Sequence, residues 1–176
     1  MDRDGLKKQA CAAIDAMASD LISASHDIHA NPELAFNEHV AHGLLTDRIE
    51  AAGLSVERGA CGLDTAFISE FGEAGVEVGI LSEYDALPGI GHACGHNIIA
   101  TSGLGATLAL SKLGTNLPGR VRYLGTPAEE AGNGKEIMAR QGAFDGLDTA
   151  MMVHPAGVNL MTMPSVAMNE VRVTYT

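Results

Sequence analysis

The stretch VEVGILSEYDALPGIGHACGHNIIATSGLGATLALSKLG, Val76 to Gly114, reads as strand, glycine-rich loop and helix. Its opening, Val76 to Tyr84, is short and β-rich, and its close, Ile98 to Gly114, is a helix of small residues suited to lying closely on a sheet. Between them Ser82 to Ala100 gathers two His, one Cys, a Glu and an Asp around glycines and a proline. A strand-to-helix turn requires only glycines and a capping residue, and Asn97 could cap alone. The surplus polar groups therefore ask for a chemical role.

Working outward, Leu6, Ala10, Ile14, Met17, Leu21 and Ile28 recur at roughly helical spacing and predict an amphipathic helix that Pro32 stops. A second helix is expected from about Asn37 to Ala52, closed by Gly53. Thr65 to Gly72 and Val76 to Tyr84 read as strand, turn, strand across Gly72 to Gly75. After the central helix come a strand at Arg120 to Pro127, a helix at Gly134 to Phe144 and a strand at Thr149 to Pro155. Strands alternating with helices predict a three-layer α/β fold, its sheet mostly parallel, with helices on both faces. Ser165 to Thr176 alternates like one further strand.

Three strand ends on this plan deliver reactive groups. Asp85, Cys94 and His96 follow the strand VGILSEY, Glu129 and Glu130 follow RVRYLG, and His154 ends TAMMV. Ligand sites of open α/β sheets gather at the carboxyl ends of strands, so this common polarity argues for a site. A thiolate, imidazoles and a carboxylate are what zinc or a similar transition metal takes. Cys94 and His96, two apart, can face the same way from an extended loop. Adjacent Glu129 and Glu130 are expected on opposite sides of extended backbone, one for metal and its neighbour for a bound water.

Other readings compete for the same residues. The segment GIGHACG misses a dinucleotide-binding turn, because the third glycine comes one place late, with Cys94 where it should stand. Cys94 as a nucleophile with His154 as base would leave His96, Glu129 and Glu130 unexplained. Metal binding uses them all. His92 reads as structural, His26, His29, His39 and His42 as solvated surface, and Cys11 and Cys61 as small buried hydrophobes.

Composition excludes several function classes. The 176 residues carry eleven Lys and Arg against twenty-two Asp and Glu, a net charge of -11, so a nucleic-acid backbone is repelled rather than neutralised. No uninterrupted apolar run could span a bilayer, and the charged start MDRDGLKKQA lacks an apolar signal region. Three widely spaced cysteines, Cys11, Cys61 and Cys94, suit a reducing compartment, and a cytoplasmic location is expected.

Four stretches, DIHANPELAFNEH, EYDALPGIGHACGHN, GTPAEEAGNGK and MMVHP, resemble in order and spacing the amidohydrolase branch of metallopeptidase family 20. That branch comprises aminoacylases, hippurate and auxin-conjugate hydrolases, aminobenzoyl-glutamate hydrolases and dipeptidases of the β-alanyl-lysine type. The resemblance runs from about Asp27 and is nearest the dipeptidases, with Asn97 where many members carry Asp. It implies a zinc-exopeptidase-like domain holding two divalent transition-metal ions, whether zinc, manganese, cobalt or nickel. Cys94, His96, Glu130 and His154 would be ligands, Glu129 the general base, and Asp85 the residue that orients a ligand. It also implies that 1–165 form the N-terminal part of the catalytic domain and that 166–176 open a lid that would mediate homodimerisation. A final His ligand is expected beyond Thr176.

The expected function is hydrolysis of an amide bond in an N-acyl amino acid or dipeptide-like substrate, by metal-activated water with a Glu base. The alternative is an incomplete, inactive metal-binding or interaction module.

Overall fold

The computed structural model describes residues 2–160 and 173–175. Helix α1 spans Arg3–Ala30. Asp2 caps it by accepting the Gly5 amide at 2.7 Å, and its last turn ends at Asn31, immediately before Pro32. Helix α2 covers His39–Ala51, with the buried Glu38 as its N-terminal flank.

The sheet has five strands: β1 at Glu57–Arg58, β2 at Phe67–Gly72, β3 at Glu77–Ser82, β4 at Arg120–Gly125 and β5 at Thr149–Met151. Their order is β1-β2-β4-β3-β5. Helix α3, His96–Ser111, crosses from β3 to β4, and the short α4, Gly134–Arg140, precedes β5. The sheet is mixed, where parallel pairing was expected to predominate: β3 pairs parallel with β4 and β5, but β2 runs antiparallel to β4 and β1. A short glycine-containing turn between β2 and β3 reverses the chain, whereas the α3 crossover returns β4 parallel to β3. β4 inserts between β2 and β3, the pair that the sequence read as strand, turn, strand. The parallel half carries the reactive residues.

Helices do cover both faces. Ile28, Leu45, Ile49, Leu104 and Leu108 meet Phe67, Ile80, Val121 and Tyr123 in one core, so α1, α2 and α3 lie on one side. Met138 and Ala143 pack with Leu81, Leu124, Ala60 and Ala66 on the other. The expected close seating of α3 has a residue-level cause at Gly103. A Cβ there would lie 2.2 Å from Ser82 Oγ and 3.1 Å from the Leu81 carbonyl. Ser82 has no room to yield, since its hydroxyl is held by the Ala100 carbonyl at 3.1 Å and meets the Tyr123 hydroxyl at 2.9 Å.

Three local expectations are corrected. The residue before α3 is Gly95 in the left-handed region (φ 77°), and Asn97 instead donates to Ser25 Oγ at 2.9 Å, tying α3 to α1. His42 is buried, not solvated, with Nδ1 2.9 Å from the Thr65 carbonyl. Cys11 is exposed, because the α1 stripe that meets the core passes through Ala24 and Ile28, and Cys61 is only half-buried at the edge of the cluster of Ala60, Leu124 and Met138. The boundary expected at 165/166 and most of the expected C-terminal strand lie outside the described residues. No helix among the described residues is long and apolar enough to cross a membrane.

Candidate metal centre

Beyond β3 the chain keeps its extended alternation, and that period assigns each side chain a direction. Tyr84 turns into the core, stacked on Phe67 with ring centroids 6.1 Å apart, and its hydroxyl donates to the Thr65 carbonyl at 2.5 Å. Its neighbours Glu83 and Asp85 both turn instead toward His96 at the start of α3. All three are almost completely buried.

His96 is the hub. Its Nδ1 lies 3.0 Å from Asp85 Oδ1, while its Nε2 lies 3.5 Å from Glu83 Oε2, 3.7 Å from Glu130 Oε1 and 3.9 Å from Glu129 Oε2. The other oxygen of Asp85 accepts the Glu130 amide at 2.8 Å. His154 approaches edge-on, its ring centroid 6.0 Å from that of His96. The His154 Nδ1 donates to the Pro155 carbonyl at 2.7 Å, which leaves its Nε2 as a lone-pair donor. Two groups of donor atoms close enough to share an ion result: Glu83, His96 and His154, and His96, Glu129 and Glu130.

The electrostatics follow from this crowding. Burial by itself would raise the Asp85 carboxyl, but the His96 hydrogen bond and the Glu130 amide outweigh it and hold the group below its ordinary range. Burial opposes protonation of His96, yet Asp85, Glu83 and Glu130 prevail and lift the imidazole above its usual value. Glu129 is raised, first by burial and then by the charge of Glu83, with Lys135 acting the other way. The Glu130 carboxylate beside Cys94, aided by burial, pushes the thiol up to about 11. Lys135 pairs with Glu83 Oε1.

The structure thus brings together Asp85, His96, Glu129, Glu130 and His154, and sets Cys94 against Glu130. It also adds Glu83, which sequence reasoning passed over. The only available signal was its i, i+2 relation to Asp85 at a strand end. Two geometric expectations change. Cys94 sits in a turn, and His96 opens a helix, rather than both projecting from an extended loop. Glu129 and Glu130 lie in a turn that follows the left-handed Ala128 (φ 59°), so both reach toward His96 instead of pointing oppositely. What separates them is exposure: the Glu129 side chain is 43% accessible and that of Glu130 16%. His92 is buried beside His29, with ring centroids 6.3 Å apart, and both line a cavity with Cys94.

The residues suit a metal. Glu83 Oε2, His96 Nε2 and Glu130 Oε1 are buried with no hydrogen-bond partner, although such atoms are normally satisfied. Glu83 Oε2 and Glu130 Oε1 lie 3.5 and 3.7 Å from the equally unpartnered His96 Nε2, and acceptor-type atoms so gathered, among four carboxylates and a single nearby Lys, call for a cation.

Known proteins share this arrangement of chain. The chain is 43% identical to the Xaa-Arg dipeptidase of Mus musculus over 97% of its own length and 43% of the dipeptidase. It is 34% identical to a p-aminobenzoyl-glutamate hydrolase chain of Escherichia coli over 81% of its length and 34% of that relative. Among solved structures, a dinuclear metal-binding peptidase of the M20 family from Bacillus subtilis superposes with a TM-score of 0.71 at 28% identity, covering 77% of this chain and 42% of that one. The chain therefore spans less than half the length of the relatives it matches. Residues 79–172, more than half the chain and the part that carries Glu83 to His154, match the family described as Peptidase family M20/M25/M40, and the chain belongs to that family.

Proposed function

We propose that this chain supplies the metal-binding part of an amidohydrolase that cleaves an amide bond in N-acyl amino acids or dipeptides. The observation that carries the reading is the convergence of the unpartnered Glu83 Oε2, His96 Nε2 and Glu130 Oε1 beside His154. Cys94, His96, Glu130 and His154 hold two divalent transition-metal ions, zinc or alternatively manganese, cobalt or nickel, and Glu83 offers a further oxygen to the cluster. When bound, such ions lower the pKa of water and polarise a carbonyl. Asp85 fixes the His96 ring so that Nε2 faces the cluster. Glu129, the more exposed and raised carboxylate, takes the proton of the attacking water and delivers it to the leaving amine.

The names of the relatives support both substrate classes, and that of the mouse relative adds dipeptides ending in Arg. Residues 1–165 form the N-terminal part of the catalytic domain, 166–176 open a lid, and that lid supports a homodimer in the whole protein. The three unpaired cysteines agree with a cytoplasmic location.

Elemental analysis of the purified chain after incubation with zinc or manganese tests the site. Bound metal that falls in both Cys94→Ala and His96→Ala is expected, and unchanged metal in both overturns it. Amide hydrolysis, assayed on N-acyl amino acids and dipeptides for this chain and for a version extended to the length of its relatives, separates an enzyme from a metal-binding module without turnover.

A further inference from the structure

Glu38 is completely buried, and the proposed chemistry does not use it. Its Oε1 accepts the backbone amide of Ala128 at 2.8 Å and that of Phe36 at 3.0 Å, and its Oε2 accepts the Thr65 hydroxyl at 2.7 Å. Burial pushes this carboxyl up, and those donors are what work against it. Both amides that it holds belong to residues in the left-handed region, Phe36 at φ 64° and Ala128 at φ 59°. Residues with a Cβ adopt that conformation only where their surroundings enforce it. Ala128 stands immediately before Glu129 and Glu130, and the left-handed step there is what turns both toward His96. The second held residue grips the same turn: a Cβ on Gly132 would lie 2.4 Å from the Phe36 ring.

We propose that Glu38 is a positioning residue for the metal centre, a clamp whose carboxylate enforces the left-handed turn at Ala128 and so aims Glu129 and Glu130 at His96. This rests on the metal-centre reading above. A Gln is a weaker clamp, because it loses the charge that strengthens both amide bonds to Oε1, and its NH2 faces Thr65, whose hydroxyl must then accept instead of donate. The sequence hides the link, since Glu38 lies ninety residues from the turn it holds.

The experiment uses this chain with Glu38→Gln, Ala128→Gly and the double variant. Amide hydrogen exchange at Ala128 is followed by NMR without metal, and zinc and manganese affinities by calorimetry. Glu38→Gln is expected to speed exchange at Ala128 and to weaken metal binding about tenfold or more, the scale of losing an outer partner of a metal site. In the double variant affinity is expected to return most of the way, because glycine adopts a positive φ unaided. A Glu38 that merely filled the core would not be rescued at position 128. Unchanged exchange in Glu38→Gln, or a double variant binding as weakly as the single one, overturns the clamp. His96→Ala separates the two readings: if that variant binds metal normally the metal centre fails, while exchange at Ala128 still decides the clamp. Should Glu38→Gln not fold, Thr65→Val removes a donor from the other oxygen and is expected to speed exchange at Ala128. Unchanged exchange there is equally fatal.

Discussion

Asp85 joins the two halves of the site: one carboxylate oxygen lies 3.0 Å from His96 Nδ1 and the other accepts the Glu130 amide at 2.8 Å. A single buried group thus orients the imidazole and anchors the glutamate turn. Asp85→Asn can keep one of these contacts but not both in the same geometry, because an amide is acceptor on one side only. Zinc affinity is expected to fall about 10- to 100-fold, as for other outer partners of metal ligands. Calorimetric titration of the folded variant showing wild-type affinity would remove Asp85 from the site.

The two adjacent glutamates are distinguished by burial and should be distinguished by mutation. Glu130→Gln, altering the buried oxygen that lacks a partner, is expected to lose metal. Glu129→Gln should retain it, yet lose about 100-fold or more in turnover in an extended, active enzyme, the scale of removing a general base. Metal content and kcat measured side by side check this. The reverse pattern exchanges their roles.

Stability and metal binding should respond to pH in opposite senses. His96 is raised in the folded chain by its carboxylate neighbours, so its contribution is fully present below the unfolded value of about 6.5 and is lost as pH rises through the folded one. Metal-free protein is therefore expected to lose stability as pH rises above about 6.5. Zinc uptake, which needs a deprotonated imidazole and thiol, should strengthen over the same interval. Urea midpoints with a chelator at several pH values decide the matter. A His96→Gln variant with an undiminished pH slope would assign the effect elsewhere.

Cys94 offers a chemical probe of its neighbour. With its thiol pushed up to about 11 by the Glu130 carboxylate and by burial, almost no thiolate exists at neutral pH in the metal-free chain. Alkylation by iodoacetamide is expected to be slow at pH 8 and to accelerate toward pH 11. Glu130→Gln lowers the pKa and should speed the reaction at pH 8 several-fold. Peptide mass spectrometry follows Cys94 separately from Cys11 and Cys61. Equal labelling rates in both proteins would break the proposed contact.

Local pattern was enough for part of this protein. The run from Val76 to Gly114 declares strand, loop and helix, because alternation, glycine and small helical residues act over a few positions. The same local reading placed Asp85, Cys94, His96, Glu129, Glu130 and His154 at strand ends on one side of the sheet. It could not place β4 between β2 and β3, since strand pairing joins residues some fifty positions apart, as Ser69 meets Tyr123. Nor could it see that Glu129 and Glu130 converge, which depends on a left-handed Ala128 that no propensity favours. Glu83, Glu38 and His42 were invisible for a common reason. Each has an ordinary polar side chain whose value lies in what surrounds it, and burial against a partner far along the chain is a property of the assembled core alone.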